Sequence, residues 1–293
     1  MKIKNKELVS IGVLTYNQYE NLKKCLNYII SQDYENIEII ISDNSEINRL
    51  PKDLENIIYN DSRIRYYKQP HNIGEIKNTY FVKSKFKGEY ACLLHDDDQI
   101  PTNYISKLFF TIKNSNNCVL TALSTDRYYN DKFWYSYKNI NTTSDDQFTR
   151  INYLIKHIFC SGGLLEYFWS GLYKVRAHPE NFKMTTTGSV IFFIFQMSIK
   201  GNVITVNENK KMIKNTSQIN LEKYSARYKK KYKIFKIHIL NSLYNRLRLL
   251  LKIIKPIISS KNIKLNYKIK ILFKAIYASV RKCNCYTKEK SLP

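Results

Sequence analysis

The 293-residue chain is predicted to be an α/β protein, with a mostly parallel sheet flanked by helices over residues 1–220 and a basic helical extension over 221–293. Three observations predict this. Through the first hundred residues or so, short β-branched apolar runs alternate with segments whose apolar residues recur at helical spacing. The runs are nearly continuous in their hydrophobicity, as strands covered on both faces require. The charge is also unevenly divided: of a formal net +24, residues 221 onward carry 20 Lys/Arg against two acids, Glu222 and Glu289, which leaves the first 220 residues at +6.

In chain order, "LVSIGVLTY" (8–16) is the first expected strand. It is followed by a helix in "NQYENLKKCLNYIISQ", where Leu22, Cys25, Leu26, Ile29 and Ile30 share one face. "IEIIISD" and "RIRYYKQ" are the second and third strands, "NIGEIKNTYFVKSKFKGEY" is helical, and "EYACLLHD" is the fourth strand. After Pro101, "NYISKLFFTIK" returns to helical spacing through Ile105, Leu108, Phe109 and Ile112, and "CVLTALSTDRYY" reads as one further strand. Residues 130–185 carry no clear period. "SVIFFIFQMSIKGNVITVNE" is a buried helix, a turn at Gly201 and a short strand. From about residue 221, apolar and basic residues interleave at helical intervals, and no internal repeat is present.

Composition narrows the class. A 44% hydrophobic content is enough for a sizeable core. No apolar run approaches the ~18 residues a spanning helix needs, and no apolar stretch follows the basic start "MKIKNKELVS", so neither a transmembrane segment nor a secretory signal is expected. The six cysteines are scattered without CxxC pairs and are expected to be reduced thiols in a cytoplasmic setting.

Parallel sheets bind ligands outside the carboxyl ends of their strands, which here are Thr15–Asn17, Asp43–Ser45 and His95–Asp98. At the last of these stands "HDDD". Three successive carboxylates repel one another unless a cation or hydrogen-bond donors compensate. A hard divalent ion, which takes oxygen ligands and shares them with phosphates, is the most economical partner. Asp43 adds a fourth carboxylate near the same edge.

The ordered motifs "SIGVLTYN", "EIIISDNS", "HNIGEIKN" and "GEYACLLHDDDQIP" resemble the amino-terminal half of family-2 glycosyltransferases, over roughly residues 8–113. The resemblance implies a GT-A (Rossmann-like) fold and transfer of a hexosyl group from a nucleotide-diphosphate sugar, a UDP-sugar being favoured, with inversion and with Mg²⁺ or Mn²⁺ bridging the diphosphate. It implies that Thr15 and Asn17 lie beside the nucleotide, that Asp43 contacts base or ribose, and that Asn72, Gly74 and Asn78 flank the sugar donor. Asp96 would be nearest the ribose and diphosphate, with Asp97 the leading metal ligand and Asp98 the second. His95 is either a further ligand or an ordinary strand-end histidine.

An inverting transfer also needs a base for the acceptor hydroxyl. The family's acid, about 90 residues beyond the acidic motif, would fall near Gly188–Val190, and no carboxylate lies between Glu180 and Glu208. Three readings follow: Glu166 serves as base, Asp145 or Asp146 folds back into the site, or the chain is a catalytically silent relative that only binds or scaffolds. Tyr167, Phe168 and Trp169 stack on a sugar or pack in the core. The resemblance further implies a glycan or lipid-linked acceptor in bacterial surface polysaccharide synthesis. The basic extension is expected to lie on an anionic membrane surface, placing the protein at the inner face of the cell membrane. Nucleic acid is not expected as a partner, because no recognised reader motif accompanies the charge.

Overall fold

A computed structural model of the chain describes residues 7–46, 49–129, 132–137, 139–160, 166–178, 189–208, 211–216, 250–251, 254, 257–258 and 263–280. The strands are β1 (Val9–Thr15), β2 (Ile37–Asp43), β3 (Ile64–Lys68), β4 (Tyr90–His95), β5 (Asp98–Gln99), β6 (Cys118–Leu123), β7 (Thr125–Tyr129), β8 (Lys132–Ser136), β9 (Leu172–Lys174), β10 (Asn202–Val206) and β11 (Met212–Thr216). The helices are α1 (Tyr19–Ile30), α2 (Lys52–Asn60), α3 (Glu75–Ser84), α4 (Tyr104–Asn114), α5 (Gln147–Cys160), α6 (Ser189–Lys200) and α7 (Leu265–Val280).

Seven strands form the main sheet in the order β10-β6-β9-β4-β1-β2-β3. Only β9 runs against its neighbours, pairing antiparallel with both β4 and β6. The mostly parallel α/β sheet expected from the alternation is therefore present, with β9 wedged between its two halves. Alternate residues of each strand feed two cores on opposite faces. Val9, Ile11, Val13, Ile39, Ile41, Cys92 and Leu94 pack with α1, α2 and α4, while Ile40, Ala91 and Leu93 pack with α3, α5, α6 and α7. At Gly12, any Cβ would run into Val82 Cγ1 of α3 and stand 2.8 Å from Leu93 Cδ2, so this glycine lets the helix lie directly on β1.

Several elements differ from expectation. Helix α2 was not expected; Pro51 precedes it and Leu54 and Ile58, four residues apart, form its buried side. Residues 118–129 are not one strand. The chain leaves the main sheet at Ser124, whose N–H donates to the Val206 carbonyl at 2.8 Å and whose carbonyl accepts from Met212 N–H at 3.1 Å. Then β7 enters a second, four-stranded sheet in the order β5-β11-β7-β8. The unassigned region holds α5, a 3₁₀ segment over Glu166–Ser170, and β9. The expected boundary between residues 220 and 221 lies outside the described residues. Within the extension, α7 packs on α5, with Tyr267 stacked on Phe148 at 5.4 Å.

Candidate active site

The register of the main sheet determines which residues meet at its carboxyl edge. Thr15 stands opposite Asp43, and Leu14 opposite His95. The residue after His95 therefore emerges beside Thr15, and Thr15 Oγ1 donates to Asp96 Oδ2 at 2.7 Å. Burial and the neighbouring Asp97 charge push the Asp96 carboxyl up to about 7, while the Thr15 bond pulls it back toward the ordinary range.

Asp43 is fully buried and saturated with donors. Its Oδ2 accepts from Tyr19 Oη at 2.8 Å and Tyr66 Oη at 2.6 Å and pairs with Lys68 Nζ at 3.3 Å. Its Oδ1 accepts from the Ser45 N–H at 2.8 Å. Burial alone would raise this carboxyl, but the bonds from Ser45, Tyr66 and Tyr19 outweigh it and hold the group below the usual range. Burial, together with the bond to Asp43, pushes the Tyr19 phenol up to about 12.

Two loops are tied to this edge. Asn17 adopts a left-handed φ of 54°, a conformation asparagine tolerates better than most residues. Its N–H donates to Ser45 Oγ at 2.7 Å, and its Oδ1 accepts from Glu46 N–H at 3.1 Å. The loop before α3 is held by Asn44: Nδ2 donates to Asn72 Oδ1 at 2.7 Å, and Oδ1 accepts from Ile73 N–H at 2.8 Å. Gly74 takes a φ of 80° between that loop and the helix, which a side chain would strain. Asn78, one turn into α3, accepts from Ser42 Oγ at 2.5 Å. Thus Thr15, Asn17, Asp43, Asn72, Gly74, Asn78 and Asp96, distant in sequence, gather at one edge. Asn44 and Ser45 lie within the strand end Asp43–Ser45 expected to bind ligand but were given no role of their own, while Tyr19, Tyr66 and Lys68 had no signal beyond being polar groups near strand ends.

The rest of the acidic motif forms a tight turn. Asp98 begins β5 and is buried; its Oδ2 accepts from His95 N–H at 3.1 Å and from Ser170 Oγ at 3.0 Å. His95 Nδ1 lies 3.9 Å from the same oxygen. Asp97 is partly exposed between its two neighbours. Among the described residues no group of three or more His, Cys, Asp or Glu side chains could by itself hold a metal ion. Asp97, partly exposed on this turn, and Asp98 behind it are hard oxygen donors of the kind that suits a divalent ion whose remaining ligands come from a phosphate-bearing substrate and water.

The candidates for a base separate clearly. Glu166 begins the 3₁₀ segment beside β4 and β6, but its side chain lies outside the described residues. Asp146 caps α5, accepting from Thr149 N–H at 2.7 Å, and Asp145 accepts from Asn116 at 2.8 Å, just before β6 begins. Because β6 runs in the same sense as β4, Asp145 and Asp146 sit at the opposite edge from Asp96 and do not fold back into the site. Val190, near the position expected for the family acid, is partly buried in the α6 core. Tyr167, Phe168 and Trp169 are buried too, with Tyr167 Oη and Thr205 Oγ1 2.9 Å apart, so these rings pack the core rather than offering a sugar platform.

Comparison with known proteins agrees with this architecture. Residues 10–172 match the family model described as glycosyl transferase family 2. Glycosyltransferase GlyG of Streptococcus pneumoniae is 29% identical over 124 residues, 42% of this chain and 40% of that protein. The GalNAc(5)-diNAcBac-PP-undecaprenol beta-1,3-glucosyltransferase of Campylobacter jejuni is 30% identical over 101 residues, 34% of this chain and 33% of that protein. The chain's match to GlyG therefore spans about two fifths of that relative's length. Among solved structures, residues 1–349 of S. aureus TarS in complex with UDP-GlcNAc superpose with a TM-score of 0.60 at 12% identity, covering 92% of this chain and 72% of that one. A likeness at such low identity concerns the fold, and it is a glycosyltransferase fold. With the family model covering more than half of the sequence and the same sheet edge assembled in space, the chain belongs to glycosyl transferase family 2.

Proposed function

We propose that the protein is a glycosyltransferase that takes a hexosyl group from a nucleotide-diphosphate sugar, a UDP-sugar being favoured, and moves it to a glycan or lipid-linked acceptor in bacterial surface polysaccharide synthesis. The observation that carries the reading is the convergence of Thr15, Asp43 and Asp96 at the carboxyl edge of a parallel sheet, within the residues the family model matches. The TarS complex with UDP-GlcNAc supports the choice of nucleotide, and the polyprenol-linked substrate in the name of the Campylobacter relative supports the choice of acceptor.

In this reading Asn17, Asp43 and the Asn72–Gly74 loop frame the nucleotide, Asn78 holds the start of α3 behind it, and Thr15 positions Asp96 against ribose and diphosphate. Asp97, with Asp98 second, would hold Mg²⁺ or Mn²⁺, which when bound neutralises charge on the departing diphosphate. Glu166 is the proposed base for the acceptor hydroxyl in an inverting transfer. The enzyme would work from the cytoplasmic side, peripheral at the inner face of the membrane. Among the described residues no helix is long and apolar enough to cross one.

Val190 specifically favours a second reading, in which the chain binds a sugar nucleotide without turning it over. Assaying UDP-, GDP- and dTDP-sugars with and without Mn²⁺ separates the two. Metal-stimulated release of nucleoside diphosphate, abolished in Asp97→Ala, is expected. Binding without release in the wild-type protein would favour the silent relative, and full activity of Asp97→Ala would sink the metal assignment.

A further inference from the structure

Helix α7 has two apolar sides. Ile271 and Ala275, together with partly buried Tyr267 and Leu272, pack it into the core shared with α5. Leu265, Ile269 and Phe273 recur every fourth residue on a different side and are 73%, 48% and 71% exposed. At 1.5 Å of rise per residue they form a stripe about 12 Å long. A helix docked only by its core face would place polar residues there.

Lysines occupy one of the arcs between the two apolar sides. By the 100° step of a helix, Lys270 and Lys274 lie along one border of the stripe, while Lys268 falls on the core side, between Ala275 and Leu272. Lys268 Nζ donates to the Ile258 carbonyl at 2.8 Å, which places Ile258, itself 59% exposed, beside the helix. Lys274 lies over the Phe148 ring at 4.9 Å. The helix contains no acidic residue at all.

We propose that the Leu265–Ile269–Phe273 stripe is a docking surface for an anionic lipid bilayer, with the stripe entering the headgroup boundary and the exposed Lys264 and Lys270 meeting lipid phosphates. The proposal builds on the peripheral placement argued above and names the surface that produces it. Charge complementarity selects this occupant. An apolar ridge bordered by cations matches a surface that is apolar below and anionic above. Two copies of a chain with net charge +24 would instead bring like-charged borders together. Because α7 is anchored to α5 through Phe148 and Tyr267, the contact is made by a folded face of the protein, not by composition alone.

The test uses the full chain and sedimentation with vesicles of phosphatidylcholine, with or without phosphatidylglycerol. Binding is expected only with phosphatidylglycerol, and Ile269→Asp/Phe273→Asp should weaken it about tenfold or more, as should Lys264→Glu/Lys270→Glu. These side chains are solvent-exposed, so unchanged melting curves are expected for both variants. Wild-type binding by the Ile269→Asp/Phe273→Asp variant would overturn the proposal. So would a wild-type dimer, by sedimentation velocity, that this variant converts to monomer. Sugar-nucleotide titration of the same samples keeps the two readings apart: failed nucleotide binding with intact vesicle binding counts against the transferase alone, and the converse against this surface alone.

Discussion

Thr15 at the end of β1 and Asp96 just past the end of β4 are joined by a 2.7 Å hydrogen bond across 81 residues of sequence. The bond is the only influence of Thr15 on that carboxyl that can be removed without altering the sheet, because the threonine is otherwise a strand residue paired to Asp43. Thr15→Val keeps the β-branched shape and deletes the hydroxyl. It should lower affinity for the sugar nucleotide by about tenfold, equivalent to about 1.4 kcal/mol, in the range of a hydrogen bond to a charged group. Calorimetric titration at neutral pH checks this, with urea unfolding as the control that the fold is retained. Unchanged affinity would show that Asp96 is not held in place by Thr15.

Asp43 calls for the opposite expectation, a strong effect on stability. Its carboxylate is the common acceptor for Tyr19, Tyr66, Lys68 and Ser45, so Asp43→Ala leaves several buried donors without their partner. A cost of about 3–5 kcal/mol is expected, against about 1–2 kcal/mol for Tyr66→Phe, which removes one donor and leaves the acceptor served. The folded carboxyl titrates below its unfolded value, so its contribution is fully present above about pH 4 and is lost as pH falls through the folded value. Denaturant unfolding at pH 7 and at pH 3 should show the gap between wild type and Asp43→Asn narrowing in acid. A gap independent of pH would contradict the assignment of the carboxylate charge as the stabilising element.

Much of this edge was legible beforehand because it obeys local rules. Apolar runs ending in "TYN", "SDNS" and "HDDD" mark strand ends, and parallel strands place such ends together. Tyr66 and Lys68 were not legible, since their partnership with Asp43 depends on the register of β3 against β2, which pairs Asp43 with Lys68 and which no single segment encodes. Helix α2 was missed because only Leu54 and Ile58 of its nine residues are buried, too short a stripe to show a period. The switch of sheets at Ser124 was hidden for a related reason. Residues 118–129 keep β-propensity throughout, and only the competition of Val206 and Met212 for the Ser124 backbone breaks the strand. Trp169 looked like a possible sugar platform by composition and proved to be core, a distinction that burial makes and sequence does not.

Lys83, on α3, illustrates a partly buried charge packed against core aromatic rings for which neither sequence nor site chemistry gave notice. Its Nζ lies 2.9 Å from His178 Nε2 and 5.0, 5.6 and 6.0 Å from the rings of Trp169, Phe193 and Tyr173. Burial pulls the amine down to about 8. The unfolded chain would hold its proton up to about pH 10.4, so between these values the unfolded state binds more protons and stability rises with pH. Below pH 8 both states are charged and the cost of burying the cation is felt in full. Lys83→Met, of similar length and without the charge, should therefore be more stable than wild type at pH 7, by about 1 kcal/mol or more. That advantage should shrink as pH rises through 8 toward 10.4. Urea unfolding of both proteins at pH 7 and pH 10 measures it. A difference that stays constant would mean that the ring contacts and the His178 bond compensate the buried charge, and that desolvation does not govern this amine.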